Sequence, residues 1–162
     1  MALVDYFLKI DGIPGESQDS KHKDEIQVLS FSFGESQSGT MAFGGGGGAG
    51  KVQMQDFHFM MNVNKASPKL FLACATGQHI KNAVLTARKA GKDQQDYLKV
   101  TFADLLVSSF TTNGNAEANS LPLDSISLNF AEIEIEYKVQ NADGTLGAAT
   151  KVKYNLKEMQ SK

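Results

Sequence analysis

Gly45 to Lys51 reads GGGGAGK, which satisfies the G-x-x-x-x-G-K part of a phosphate-binding loop. In such a loop, backbone N–H groups cradle the phosphates, the lysine reaches the outer phosphates and a following Ser or Thr hydroxyl meets magnesium. Position 52 is Val, and the residues after it alternate at strand period, so no helix N-terminus would be aimed at the anion. The residues favour a structural reading, an exposed arm between two strands. Fixing Gly44, Gly45, Gly46, Gly47 and Gly48 forgoes about 2.5–5 kcal/mol relative to alanine. Either the arm stays mobile or contacts with another chain offset that cost.

The other reactive side chains form no recognisable set. His22, His58 and His79 lack metal-ligand spacing, and Cys74 is the sole cysteine. Cys74 and His79 are near enough in sequence for a nucleophile and base, but Cys74 lies on an apolar stripe where a free cysteine is usually a small buried hydrophobe. Glu132, Glu134 and Glu136 alternate outward along a strand, which suits a solvated or interface face better than paired acid–base catalysis. No catalytic residue, metal or cofactor is expected, and the protein is read as not an enzyme.

The elements that position these residues follow from periodicity. The chain has 162 residues, enough for one domain with its own core. Lys and Arg number 16 against 18 Asp and Glu, without a basic stripe, which argues against nucleic acid and against a polybasic membrane tether. No apolar run reaches the roughly 20 residues of a membrane span. The N-terminus carries Asp5 where a signal peptide would be apolar, so it reads as a strand.

Val4, Tyr6, Leu8 and Ile10 alternate with Asp5, Phe7 and Lys9 as one strand, and GIPGESQDSKHKDE follows as a loop. From Ile26 the apolar parity switches near Val28: Ile26 and Val28 face one way, then Leu29, Phe31 and Phe33 face a core. Such a switch marks a bulge or a strand passing between two packed sheets. Ser30 and Ser32 point away from that core, towards solvent or a cavity. Ser36 to Gly39 reads as a turn. A second switch separates Val52 and Met54 from Phe57, Phe59, Met61 and Val63.

Ser67-Pro68 followed by KLFLACATG predicts the single helix, with Ser67 as N-cap, Pro68 at the first position and Gly77 past the end. Its stripe is Leu70, Phe71, Ala73 and Cys74. Further strands are predicted over 83–89, 97–110, 125–137 and 150–156, seven in all. In the penultimate strand Ile126, Leu128 and Phe130 share one phase and Ile133, Ile135 and Tyr137 the other. Lys151, Lys153 and Lys157 in the last strand would oppose the glutamate row if the two strands pair; two separately solvated faces are the alternative.

The stretches FSFGESQSGTM, GGGGGAGK, NKASPKLFLAC, TGQH, AVLTARKAG, YLKVTFADLLVSS and SISLNFAEIEIEY, in this order and over nearly the whole chain, resemble the Hcp (haemolysin-coregulated protein) family. These are the tube subunits of bacterial type VI secretion systems. The resemblance implies a mainly β fold over residues 1–162, a compact β-barrel of two packed sheets with one flanking helix, like phage tail-tube proteins, with an extended loop at about 36–51. It implies homohexameric rings stacked as a tube, with a VgrG spike, contractile sheath and baseplate proteins as partners and small effectors in the lumen. Ser30 and Ser32 would then lie on the lumen side, and Gly44 to Gly48 would pack on a neighbouring subunit or ring.

It further implies a cytoplasmic protein exported without a cleaved signal peptide, with no toxin domain after the last strand. Phe31 and Phe33 stand where many relatives have Trp; Met60-Met61 and Asn64 also depart from the family pattern. A monomeric β-barrel ligand-binding module is the alternative.

Overall fold

The computed structural model describes residues 4–39, 51–89 and 94–161. In chain order these form β1 (Val4–Ile10), β2 (Ile26–Val28), β3 (Ser30–Ser32), β4 (Glu35–Gln37), β5 (Val52–Met54), β6 (Phe57–Asn62), α1 (Ser67–Thr76), β7 (Ile80–Lys89), β8 (Asp96–Asn113), β9 (Leu123–Gln140), β10 (Leu146–Asn155) and β11 (Gln160–Ser161), with a short 3-10 turn at Ala116–Ala118. The strands exceed the expected seven because the parity switches near Val28 and Met54 each divide one predicted strand into two, and because β4 and β11 are further strands that the sequence did not predict.

All strands except the β4–β5 hairpin belong to one antiparallel sheet, ordered β11-β10-β9-β8-β7-β1-β2, with β6 on the first half of β9 and β3 on β6. The run from Ile26 to Ser32 links β1, near one end of this path, to β6 on β9. Its first half pairs with β1 as Tyr6↔Val28 to Leu8↔Ile26, and its second half pairs with β6 as Ser30↔Met60 to Ser32↔His58. Between them the Leu29 N–H donates to the Met60 carbonyl at 2.8 Å. The sheet therefore curls into a nearly closed barrel, and the two packed layers expected from sequence are its two halves. The structure is mainly β with one flanking α-helix, as expected.

The interior is filled by the in-phase residues. Phe57, Phe59, Phe102, Leu85, Ile126 and Leu128 are fully buried, each contributing about 1.5–3 kcal/mol of transfer free energy. Phe102 packs against Phe57 and Phe130 at centroid separations of 4.7 and 4.8 Å. Both long strands switch parity at one level: Val100 and Phe102 are buried before the switch in β8, and Leu105 and Val107 after it. Asp104, with φ of 52°, is the residue at which β8 resets, and β9 resets between Phe130 and Ile133.

The helix ends where predicted, at Gly77 in the left-handed region with φ of 62°. Its start differs. Ala66 is the N-cap and makes no side-chain cap bond, while Ser67 is the first helical residue. The Ser67 hydroxyl instead donates to the buried Asp124 at 2.5 Å and accepts from the Asn64 N–H.

Four further expectations are corrected. Leu29 is 53% exposed, because it sits at the parity switch itself rather than in phase with Phe31 and Phe33. Phe71 is exposed on the outer helix face, where its ring meets Phe110 in a T-shaped contact, while Leu70 and Ala73 are buried. Ser36 and Gln37 extend β4 and pair with Gln53 and Val52, so the chain runs on beyond the barrel rather than turning. Val63 lies past the end of β6 and is exposed.

The loop between β1 and β2 forms an ordered cover. Ile13 and Ser17 are buried, and Gly15, Ser17 and Asp24 exchange backbone bonds with one another and with Glu25. A Cβ at Gly15 would stand 2.5 Å from the Glu25 carbonyl oxygen, so only glycine fits. Beneath this loop Phe7, expected on the polar side of β1, is buried as a second small core. It stacks on His22 at 4.4 Å on one side and takes the Arg88 guanidinium at 4.8 Å.

Candidate functional site

The outer face of β3, β6 and the first half of β9 gathers the two predicted serines with residues that the sequence alone does not connect. Because Phe31, Phe59 and Ile126 point inward in register, their neighbours point out. Ser32, His58 and Ser127 form one row across the three strands, and Ser30, Met60 and Ser125 form the next. Ser30 and Ser32 are exposed, whereas His58, Ser125 and Ser127 are half-buried.

The His58 ring bridges two hydroxyls, with Nδ1 2.9 Å from the Ser127 oxygen and Nε2 2.9 Å from the Ser125 oxygen. Further along the face, Asp56 accepts from the Ser108 hydroxyl at 2.7 Å and from the Asn129 amide at 2.8 Å. A Ser-His-Asp relay is not assembled, since both His58 ring nitrogens meet serine oxygens and Asp56 bonds Ser108 and Asn129 rather than the ring. What the face offers is hydrogen bonding to a polar surface.

The sequence held a usable signal for this cluster. Flanking phenylalanines force His58 outward, and Ile126 and Leu128 force Ser125 and Ser127 outward. Which strands lie side by side was the missing information.

Between β3 and β6 the chain forms the separate two-stranded β4–β5 sheet. Gly44 to Gly48, proposed as an interface, lie outside the described residues. Lys51 is exposed and leads directly into β5, so the residue after GGGGAGK enters a strand, not a helix. Where the hairpin leaves the barrel, Phe33, Met54, Ile133, Ile135, Val152 and Tyr154 line most of a cleft of about 270 Å³. It lies outside the packed interior and is largely apolar.

The remaining candidate side chains lie apart from this face. Cys74 is half-buried on α1, and His79, largely exposed, meets Asp104 at 3.3 Å. Among the described residues no group of three His, Cys, Asp or Glu could hold a metal ion. His22 lies between carboxylates, with Nδ1 2.9 Å from Glu25 and Nε2 3.1 Å from Asp96. Arg88 meets Asp19 at 2.8 Å and Asp5 at 3.4 Å. Its hydrogen bond to Asp19 holds that carboxyl well below the usual carboxylate range, and the same bond raises the pKa of Arg88.

The glutamate and lysine rows do oppose each other. Register places Lys151 opposite Glu136 and Lys153 opposite Glu134, and the ion pairs close diagonally, Lys151 to Glu134 and Lys153 to Glu132, both at 2.9 Å. These bonds raise the pKa of each lysine. Lys157 leaves the row and approaches Asp104 at 3.8 Å.

The family described as type VI secretion system effector, Hcp, matches residues 7–137 of this chain. The chain belongs to the Hcp family. Protein hcp1 of Pseudomonas aeruginosa is 46% identical over 157 residues, covering 96% of each protein. The crystal structure of Hcp1 from Salmonella typhimurium is 38% identical, with a TM-score of 0.84 over 99% of this chain and 100% of that one. A solved type six secretion system protein superposes with a TM-score of 0.92 at 29% identity, covering 98% of this chain and 99% of its own. As an Hcp-family member this is a type VI secretion protein. No described helix is long and apolar enough to cross a membrane.

Proposed function

We propose that this Hcp-family chain is a non-enzymatic structural subunit of the type VI secretion inner tube, assembling into homohexameric rings that stack and carry small effector proteins in the lumen. The single domain spans residues 1–162, and Ser30 and Ser32 belong to the lumen wall. The observation that carries this reading is the outer face of β3, β6 and β9. There small hydroxyls and a half-buried histidine stand in register on a sheet whose other side is apolar apart from the buried Asp124. A surface of that kind suits transient polar contact with folded cargo better than permanent burial.

Gly44 to Gly48, between β4 and β5, form the arm to a neighbouring subunit or ring. The VgrG spike, contractile sheath and baseplate are the further partners. The protein is cytoplasmic before firing and leaves without a cleaved signal peptide. An internal ligand site is disfavoured because Phe57, Phe59, Phe102 and Phe130 occupy the barrel interior.

Negative-stain imaging of the purified protein tests the assembly, with six-fold rings expected. A monomer without rings at high concentration overturns the reading. In the same preparation Ser32→Gln keeps the rings and weakens retention of a co-expressed effector. Unchanged co-purification counts against the lumen role of Ser32.

A further inference from the structure

We propose that His58 makes this wall selective for carboxylate-bearing protein surfaces when its ring is protonated. The inference rests on the reading that this sheet face lines the lumen, and it adds a residue and a cargo chemistry to it.

A neutral imidazole has one N–H and one lone pair. With Nδ1 and Nε2 each 2.9 Å from a serine oxygen, one serine must accept from the ring and the other must donate to it. The accepting serine keeps its own O–H for the outside, while the donating serine offers only lone pairs there. The neutral wall thus presents one donor and one acceptor, a match for uncharged amides and hydroxyls. A protonated ring donates through both nitrogens, so both serines accept and both turn their O–H groups outward. The exposed Ser32 hydroxyl stands in the same row on the other flank of His58. The wall then carries a positive charge and as many as three hydroxyl donors, which fits the two acceptor oxygens of a carboxylate.

The charged surroundings leave this change visible. Across β3 the facing residues are Ser30 and Ser32, and across β9 they are Ser125, Ser127 and Asn129, none of them titratable. Beyond β9, Ser109 and Thr111 of β8 pair with Ser127 and Ser125. On β6 itself Met60 follows His58, and the preceding Asp56 is engaged by Ser108 and Asn129. Glu35, after β3, lines the apolar cleft with Ile133 and Tyr154 instead. In the six-fold ring proposed above the change occurs six times around one bore.

The test is fluorescence anisotropy of a rhodamine-labelled oligo-glutamate peptide at low salt, at about pH 7.5 and about pH 5.5, which brackets ordinary histidine titration. Wild type is expected to bind about tenfold more tightly at the lower pH, because a charge-assisted set replaces a neutral one. His58→Gln is expected to change less than about twofold, with His22 and His79 still present as internal controls. Ser125→Ala, which keeps the imidazole and removes one outward hydroxyl, gives a smaller acid gain than wild type.

Absence of binding at both pH values, absence of an acid gain in wild type, or an equal gain in His58→Gln overturns the proposal. Sedimentation of the same samples separates the two readings. A monomer that keeps the His58-dependent gain overturns the ring and not the selectivity, and rings without the gain do the reverse.

Discussion

Arg88 holds its charge at a position only 2% exposed because Asp19 and Asp5 reach it from a loop and from a neighbouring strand. Asp19 titrates lower in the folded chain than in the unfolded one, so its contribution is complete above the unfolded carboxylate range and is lost as pH falls towards the folded value. Asp19→Asn should therefore cost about 1–2 kcal/mol near neutral pH, and the gap to wild type should narrow below about pH 4. Urea unfolding across that range measures it. A gap that stays constant with pH would show that the carboxylate's charge is not what holds the loop.

None of this cluster is legible in sequence, since Asp19 and Arg88 lie 69 positions apart and an isolated arginine in a strand reads as solvent-facing. The outward placement of Ser30 and Ser32, by contrast, follows from the phenylalanines beside them. Leu29 departs from the alternation because it occupies the switch point, where alternation has no defined sense.

At the scale of elements, α1 is fastened to the barrel through Ser67. Its hydroxyl meets Asp124, which is fully buried and also takes the Thr112 hydroxyl. Ser67→Ala removes one of these hydroxyls from a carboxylate that water does not reach, and should cost about 1–3 kcal/mol in chemical denaturation. Were Ser67 an ordinary N-cap, replacement by glycine would cost only a few tenths of a kcal/mol. Comparing Ser67→Ala with Ser67→Gly distinguishes the two roles. The helix itself was readable from Pro68 and Gly77, but the bond from Ser67 to a residue 57 positions away was not. The parity switches were readable wherever two apolar runs of opposite phase met. The pairing of the glutamate and lysine rows remained an alternative until register fixed it.

At the scale of the molecule, the β4–β5 pair forms a sheet of its own and adds no residue to the buried core, packing against it through Met54. Shortening the Gly44–Gly48 run should leave the melting temperature of the barrel nearly unchanged while impairing the stacking of rings, as read by electron microscopy and circular dichroism. A variant that loses its folded barrel together with its stacking would mean that the arm belongs to the fold.

The barrel is a hoop with one clasp, the segment from Ile26 to Ser32. On one side it is held by three residue pairs with β1, and on the other by three with β6, whereas β8 and β9 run together for most of eighteen residues. A hoop of this kind opens at the clasp first and stays one sheet when it does. Amide deuterium exchange should accordingly be fastest, among the barrel strands, from Ile26 to Ser32, and slowest around Val100 to Leu106. Uniform exchange around the barrel would mean that it opens only by unfolding. Ser30 and Ser32 sit on the clasp itself, so cargo that grips those hydroxyls also presses the hoop shut.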